Sequence, residues 1–168
     1  QRVNKWLASE GVCSRREAEA LIADGLVSID GTRVDDPGRK IAPGQILTLA
    51  DKAQTQLAGA FSAVLNKPVG YVSAQPEGRQ TPAARLITLQ NLWGGSLAPP
   101  KMPAAQGSLA PLGRLDQDSH GLLLLSEDGV LAKAVIGPDS RLDKEYLVRV
   151  EGQITDKKLA LLRHGLQL

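Results

Sequence analysis

The chain has 168 residues and carries 20 Lys and Arg against 18 Asp and Glu, a net charge of +2. That length fits one domain or two small ones, the charge alone does not announce a nucleic-acid binder, and no apolar run approaches the ~20 residues that span a bilayer. The single Cys13 leaves no internal disulfide and fits a reducing cytoplasm, two histidines are too few for a histidine-based metal site, and no signal peptide is visible.

The sequence opens at Gln1 rather than Met, so a trimmed start is expected. With one Phe, two Tyr and two Trp, aliphatic side chains must fill the core. Val3, Trp6 and Leu7 follow i, i+3, i+4 spacing and predict a short first helix, with Arg2 and Lys5 beside that stripe. A second helix has a clearer start. Ser14 and Glu17 have capping-box spacing, Ala18, Leu21 and Ile22 form its buried stripe, and Gly25 ends it. Arg15 and Arg16 lie in its first turn, where the helix dipole disfavours cations by some tenths of a kcal/mol. They would suit a phosphate, which favours free helix N–H groups and guanidinium forks.

"VSIDGTRV" predicts a hairpin with a two-residue Asp30-Gly31 turn. Pairing across it puts Val27, Ile29 and Val34 on one face and Ser28 and Arg33 on the other. The segment "QILTL" can add a third strand. Residues 1–50 hold seven basic and seven acidic side chains, so any RNA contact depends on where the charges lie. Singly, Arg2, Lys5, Arg15, Arg16 and Arg33 read equally well as solvated. Together they fit a stripe along one side, and RNA contact becomes the better reading.

"RVNKWLASEGVCSRREAEALIADGLVSIDGTRV" closely resembles the RNA-binding domain named after ribosomal protein S-four. The resemblance implies a basic face that grips structured RNA by its phosphates. Such contacts give affinity and register rather than base identity, and they weaken steeply with salt.

Residues 51–60 are small and polar without strong periodicity and read as a linker. A second domain is expected over 61–168. Val64 and Leu65 belong to a strand, Asn66-Lys67-Pro68 turns the chain, and "GYVSA" resumes it. Residues 92–113, rich in Gly, Pro and Ala, predict a long loop.

"GRLDQDSHGLLLLSEDG", residues 113–129, sets a charged hexapeptide against the most apolar run of the chain. In extended backbone, Arg114 and Asp116 share one side and Leu115 takes the other. Gly121 would permit a close backbone approach. Leu122 to Leu125 then enter the interior, as a strand buried on both faces would, and Asp128-Gly129 closes it as a turn. The pattern fixes a carboxylate at the rim of a rigid core. A carboxylate is ionised at neutral pH, so Asp116 should act as nucleophile, base or electrostatic stabiliser. The bland alternative is a salt-bridged loop, and for Asp118 a local cap remains the preferred reading.

The same stretch resembles the catalytic motif of pseudouridine synthases. "LNKPVGYVSA" and "DKEYLVRVEG" resemble two further motifs of that family, in the same order. With the N-terminal domain, the architecture resembles the RsuA-type rRNA pseudouridine synthases. The resemblance implies that Asp116 is the catalytic nucleophile and that Tyr146 stacks on the uracil. It implies a reaction internal to one nucleotide, with no metal, redox cofactor or energy donor, and structured RNA as partner, ribosomal RNA before transfer RNA. Alternation groups Tyr146, Val148 and Val150 on one strand face, so core packing is the plainer role for Tyr146. Arg114 is expected to position RNA or the aspartate. Lys67 is placed among the RNA contacts, and Lys144 is weighed equally as a phosphate contact or a solvated cation.

The family normally continues beyond Leu168 with a basic segment whose arginine pairs with the aspartate. Without that segment the site would lack its counter-ion, and the chain would bind RNA without modifying it. Two other readings compete: a noncatalytic RNA-binding or ribosome-assembly module, and a glycosidase-like enzyme using Asp116 and Asp118, which usually needs two carboxylates with separate roles. The expected fold class is α+β: a helix-hairpin module joined to a mostly antiparallel sheet flanked by helices. Asp116 should lie in a cleft on that sheet, in a monomeric, cytoplasmic protein away from membranes.

Overall fold

The computed structural model describes residues 1–94, 102–103 and 108–167. Helix α1 (Val3–Ser9) turns Val3 and Leu7 inward, and half-buried Trp6 packs beside them. Helix α2 (Arg15–Ala23) starts as its sequence requires. The Ser14 hydroxyl accepts the Glu17 N–H at 3.2 Å, and the Glu17 carboxylate accepts the Ser14 N–H at 2.6 Å. The Ser14 and Glu17 N–H groups are thus satisfied within the chain.

Strands β1 (Val27–Ile29) and β2 (Thr32–Arg33) form the hairpin, with Ser28 opposite Arg33. Asp30 and Gly31 both take positive φ, 49° and 78°, the turn that matches the twist of paired strands. Strand β3 (Leu47–Leu49) pairs antiparallel with β1. Asp30 secures this third strand by accepting from the Ile46 N–H at 2.8 Å and Gln45 Nε2 at 2.9 Å. These two bonds hold its carboxyl below the usual carboxylate range. Val27, Ile29 and Val34 are buried with the helix stripe, as alternation predicts.

Cys13 belongs to this core and is 2% exposed. Burial, with a smaller push from the Glu17 charge, raises its thiol to about 11. At neutral pH the thiolate, the reactive form, is correspondingly scarce. Iodoacetamide is expected to label Cys13 at least roughly 100-fold more slowly in native protein than in denatured protein. Equal rates would show that the thiol is not held as described.

The segment read as a linker is helical: α3 (Asp51–Ala58) buries Ala53 in the first core and packs Leu57 against it. The missing periodicity is explained by size, since one alanine and one leucine suffice for so short a helix.

A second sheet follows. Strand β4 (Ser62–Lys67) pairs antiparallel with the later leucine strand, Val64 opposite Leu124 and Lys67 opposite Gly121. Short strands β5 (Tyr71–Val72) and β6 (Thr81–Pro82) pair in parallel, and 3-10 turns span Ala83–Leu86 and Leu89–Asn91. The expected loop 92–113 is described only in part; 95–101 and 104–107 lie outside the described residues. Its end forms β7 (Ala110–Pro111), on the other side of β8 (Gly121–Ser126). The sheet order is β4-β8-β7.

Leu123 and Leu125 are buried, with Ala63 and Leu65 alongside, but Leu122 is 70% exposed. The leucine run is therefore covered on one face, not two. Continuous apolarity allows double burial but does not supply the second layer.

Asp128 does more than close a turn. Its carboxylate accepts the Val130 and Leu131 N–H groups at 2.8 and 3.1 Å and caps α4 (Gly129–Ile136). The Gly129 N–H in turn donates to Glu17 at 3.3 Å. One carboxylate thus serves the starts of α2 and α4. A Cβ on Gly129 would stand 2.3 Å from the Ser14 Cβ and 2.6 Å from the Glu17 carboxylate. Gly129→Ala is expected to force the two helices apart and cost about 1–3 kcal/mol, as overpacking does. Chemical denaturation and faster hydrogen exchange at the Ser14 and residue-129 amides would report it; unchanged exchange at both would contradict it.

Helix α5 (Asp156–His164) buries no side chain. Residues 141–150 are exposed throughout and form no strand, contrary to the alternation of Tyr146, Val148 and Val150. Alternation says which residues share a face, whereas a strand also needs a partner ladder. Among the described residues, no helix is long and apolar enough to cross a membrane. The architecture is α+β, as expected.

Candidate active site

The loop 113–120 leads into β8 and is bonded to the segment that follows β4. Leu115 turns inward against the second core, while Arg114 and Asp116 on either side of it are exposed. This is the alternation read from the sequence. The Ser119 N–H donates to the Asp116 carbonyl at 3.1 Å and folds the next residues into a turn. Gly121, at φ 132°, then brings the chain into β8. A Cβ there would meet nothing within 4 Å, so Gly121 serves the backbone angle rather than the close approach expected of it.

Four residues from outside the loop hold it in place. The Gly70 N–H donates to the Gln117 carbonyl at 2.8 Å, and Gln80 Nε2 reaches the Gln117 side-chain oxygen at 3.1 Å. The Ser73 hydroxyl donates to the Leu115 carbonyl at 2.7 Å and accepts the Leu115 N–H at 2.8 Å. Lys67 Nζ donates to the carbonyls of Ser119 at 2.6 Å, Pro68 at 2.9 Å and Gln117 at 3.5 Å.

Lys67 is 0% exposed, and this corrects its placement among the RNA contacts. Its ammonium is spent on backbone carbonyls beneath the loop and presents nothing to a phosphate. Burial lowers its pKa from the ordinary lysine value, and the charges of Asp116 and Asp118 oppose that shift. The cation beside the aspartates therefore comes from β4. Arg114 makes no ion pair with Asp116 among the described residues.

The Asp116 carboxylate accepts no hydrogen bond among the described residues, and Asp118 caps nothing there. Asp116 is exposed. Tyr146 is 61% exposed on the unpaired segment, not packed in a core. That segment does pass the loop: Lys144 Cε lies 4.0 Å from where a Gly113 Cβ would stand.

The N-terminal cations are exposed as read: Arg2, Lys5, Arg15, Arg16 and Arg33. Arg33 is the least free, since its Nε pairs with Asp35 at 2.8 Å and its guanidinium lies over Gly25. Lys5 and Arg15 open onto a crevice of about 590 Å³ between α1, α2 and α4, and Lys133 and Asp139 line its far side. Among the described residues no cluster could hold a metal ion.

Sequence reasoning missed Ser73, Gly70 and Gln117. No local signal marked them, because each bonds a partner more than 30 residues away in the chain.

Residues 1–47 match the family model of the S4 domain, and residues 62–165 match that of the RNA pseudouridylate synthases. An uncharacterized RNA pseudouridine synthase of Aquifex aeolicus is 32% identical over 170 residues, covering 99% of this chain and 62% of the relative. The ribosomal large subunit pseudouridine synthase B of Haemophilus influenzae is 37% identical over 179 residues, covering 100% of this chain and 45% of the relative. The protein of the same name from Pseudomonas aeruginosa is 32% identical over 176 residues, covering 100% and 41%. The chain spans between 41% and 62% of the length of these relatives.

Proposed function

The chain belongs to the RNA pseudouridylate synthase family, and from that premise we propose that the protein converts a specific uridine of structured RNA, ribosomal RNA first, to pseudouridine, with Asp116 as the nucleophile. The reaction breaks the bond from ribose C1′ to uracil N1 and forms one from C1′ to C5. The proton lost from C5 is matched by one gained at N1, so no atom enters or leaves the nucleotide.

One observation carries this reading: an exposed carboxylate on a loop whose backbone is tied to buried groups on both sides of it. A catalytic anion must be free to meet substrate yet unable to wander. Attack on C1′ and removal of a ribose proton toward a glycal both use this position. Tyr146, on the segment that passes the loop, is assigned to stack on the base once RNA is bound. The target must leave its stack first, at a cost of about a few kcal/mol. Phosphate contacts by Arg2, Lys5, Arg15 and Arg16 offset part of that cost, and Arg114 sits where it can meet the RNA beside the nucleophile. The protein acts as a monomer in the cytoplasm.

The second reading, RNA binding without modification, rests on the S4-domain match of residues 1–47. The test is to incubate the protein with unmodified ribosomal RNA and map pseudouridines along it. Modification at defined positions supports the enzyme, and binding without any modification supports the module.

A further inference from the structure

We propose that Ser73 is a positioning residue for the nucleophile, its hydroxyl setting the backbone direction from which the Asp116 side chain departs; the proposal rests on the enzymatic reading above. Ser73 lies 42 residues before Leu115 in the chain and is 6% exposed. Its single oxygen bonds both main-chain groups of Leu115, donating to the carbonyl at 2.7 Å and accepting the N–H at 2.8 Å. It thereby does for Leu115 what a paired strand would do, at a place where no strand runs.

The position of that clamp matters more than its strength. Since the Asp116 carboxylate accepts no hydrogen bond among the described residues, its direction follows from its backbone. The ties from Gly70 and Lys67 fall after Asp116, on Gln117 and Ser119. On the side before it, the Ser73 pair is the nearest hydrogen-bonded tie among the described residues; the next lies back at Leu112, whose N–H reaches Leu124 at 2.8 Å. Without Ser73 the stretch from Gly113 to Leu115 could swivel about its apolar contact alone. A displacement near 1 Å at a reacting group can cost about 100-fold in rate.

Ser73→Ala and Ser73→Thr in the whole protein separate positioning from simple folding support. For Ser73→Ala, kcat on unmodified RNA should fall about 100-fold while RNA affinity stays within twofold. Hydrogen exchange at the Leu115 amide should quicken at least tenfold, with the Gly70 amide unchanged. Ser73→Thr keeps the hydroxyl and should restore kcat to within about threefold. Full kcat in Ser73→Ala, or an unchanged Leu115 amide, overturns the proposal. So does a loss of kcat that comes with equal losses of RNA affinity and of Gly70 protection, which marks general unfolding. If wild type itself makes no pseudouridine, the enzymatic reading fails, and Leu115 exchange still decides whether Ser73 holds the loop.

Discussion

Asp116→Asn is expected to abolish pseudouridine formation, by on the order of 10⁴-fold or more, while RNA binding stays within about twofold. The scale is that of removing a nucleophile from an otherwise intact site. The amide has the volume of the carboxylate but neither its nucleophilicity toward C1′ nor its basicity toward a ribose proton. Folding should hardly notice, because the Asp116 side chain is exposed and supports no other group among the described residues. Surface changes of that kind usually stay within about 0.5 kcal/mol. The one electrostatic debt falls on Lys67, which loses one of two carboxylates that oppose its desolvation and keeps Asp118. Single-turnover mapping of pseudouridine, run beside filter binding of the same RNA, measures both quantities. A variant that keeps its rate would remove Asp116 from the role of nucleophile.

Much of the fold could be read before any coordinates, and the reasons are local. The Ser14–Glu17 capping box and the Asp30-Gly31 turn depend on residues three or fewer positions apart, so the sequence states them directly. The alternation of Arg114, Leu115 and Asp116 is equally local, and the structure keeps it. What could not be read depends on distant partners. Lys67 looked like a surface cation because nothing near it in sequence says that carbonyls 50 and 52 residues later will surround its ammonium. Ser73 looked like an ordinary strand residue for the same reason. Leu122 and Tyr146 failed in the opposite sense: their apolar or alternating patterns require a neighbour to be realised, and both are exposed here. The site is thus half legible. Its anion is announced by its own motif, while its supports are set by the fold.

Lys67→Met should lower the rate far more than it lowers stability. Two effects on folding compete. Removing a fully buried ammonium relieves its desolvation, which alone would stabilise the protein, as replacement of buried ions by apolar groups can do. Against this, the carbonyls of Ser119 and Pro68 lose their donor, while that of Gln117 keeps the Gly70 N–H, and a buried acceptor left unpaired costs about 1–3 kcal/mol. Gln117 is exposed and Ser119 partly so, hence water can replace some of the lost bonds, and a net loss of about 1–3 kcal/mol is expected. The loop has no such substitute for geometry. Lys67 ties it three residues after Asp116 and supplies the positive charge beneath both aspartates. Without it the carboxylate should sample orientations away from the ribose, and a rate lower by about 10- to 100-fold is expected. Lys67→Arg should not restore the rate, because a planar guanidinium does not fit a fully enclosed site shaped for a compact ammonium. Denaturant titration gives the stability term, and initial rates at saturating RNA give the other. A Met variant with full rate would show that the loop keeps its shape without the cation, and the support assigned to β4 would be wrong.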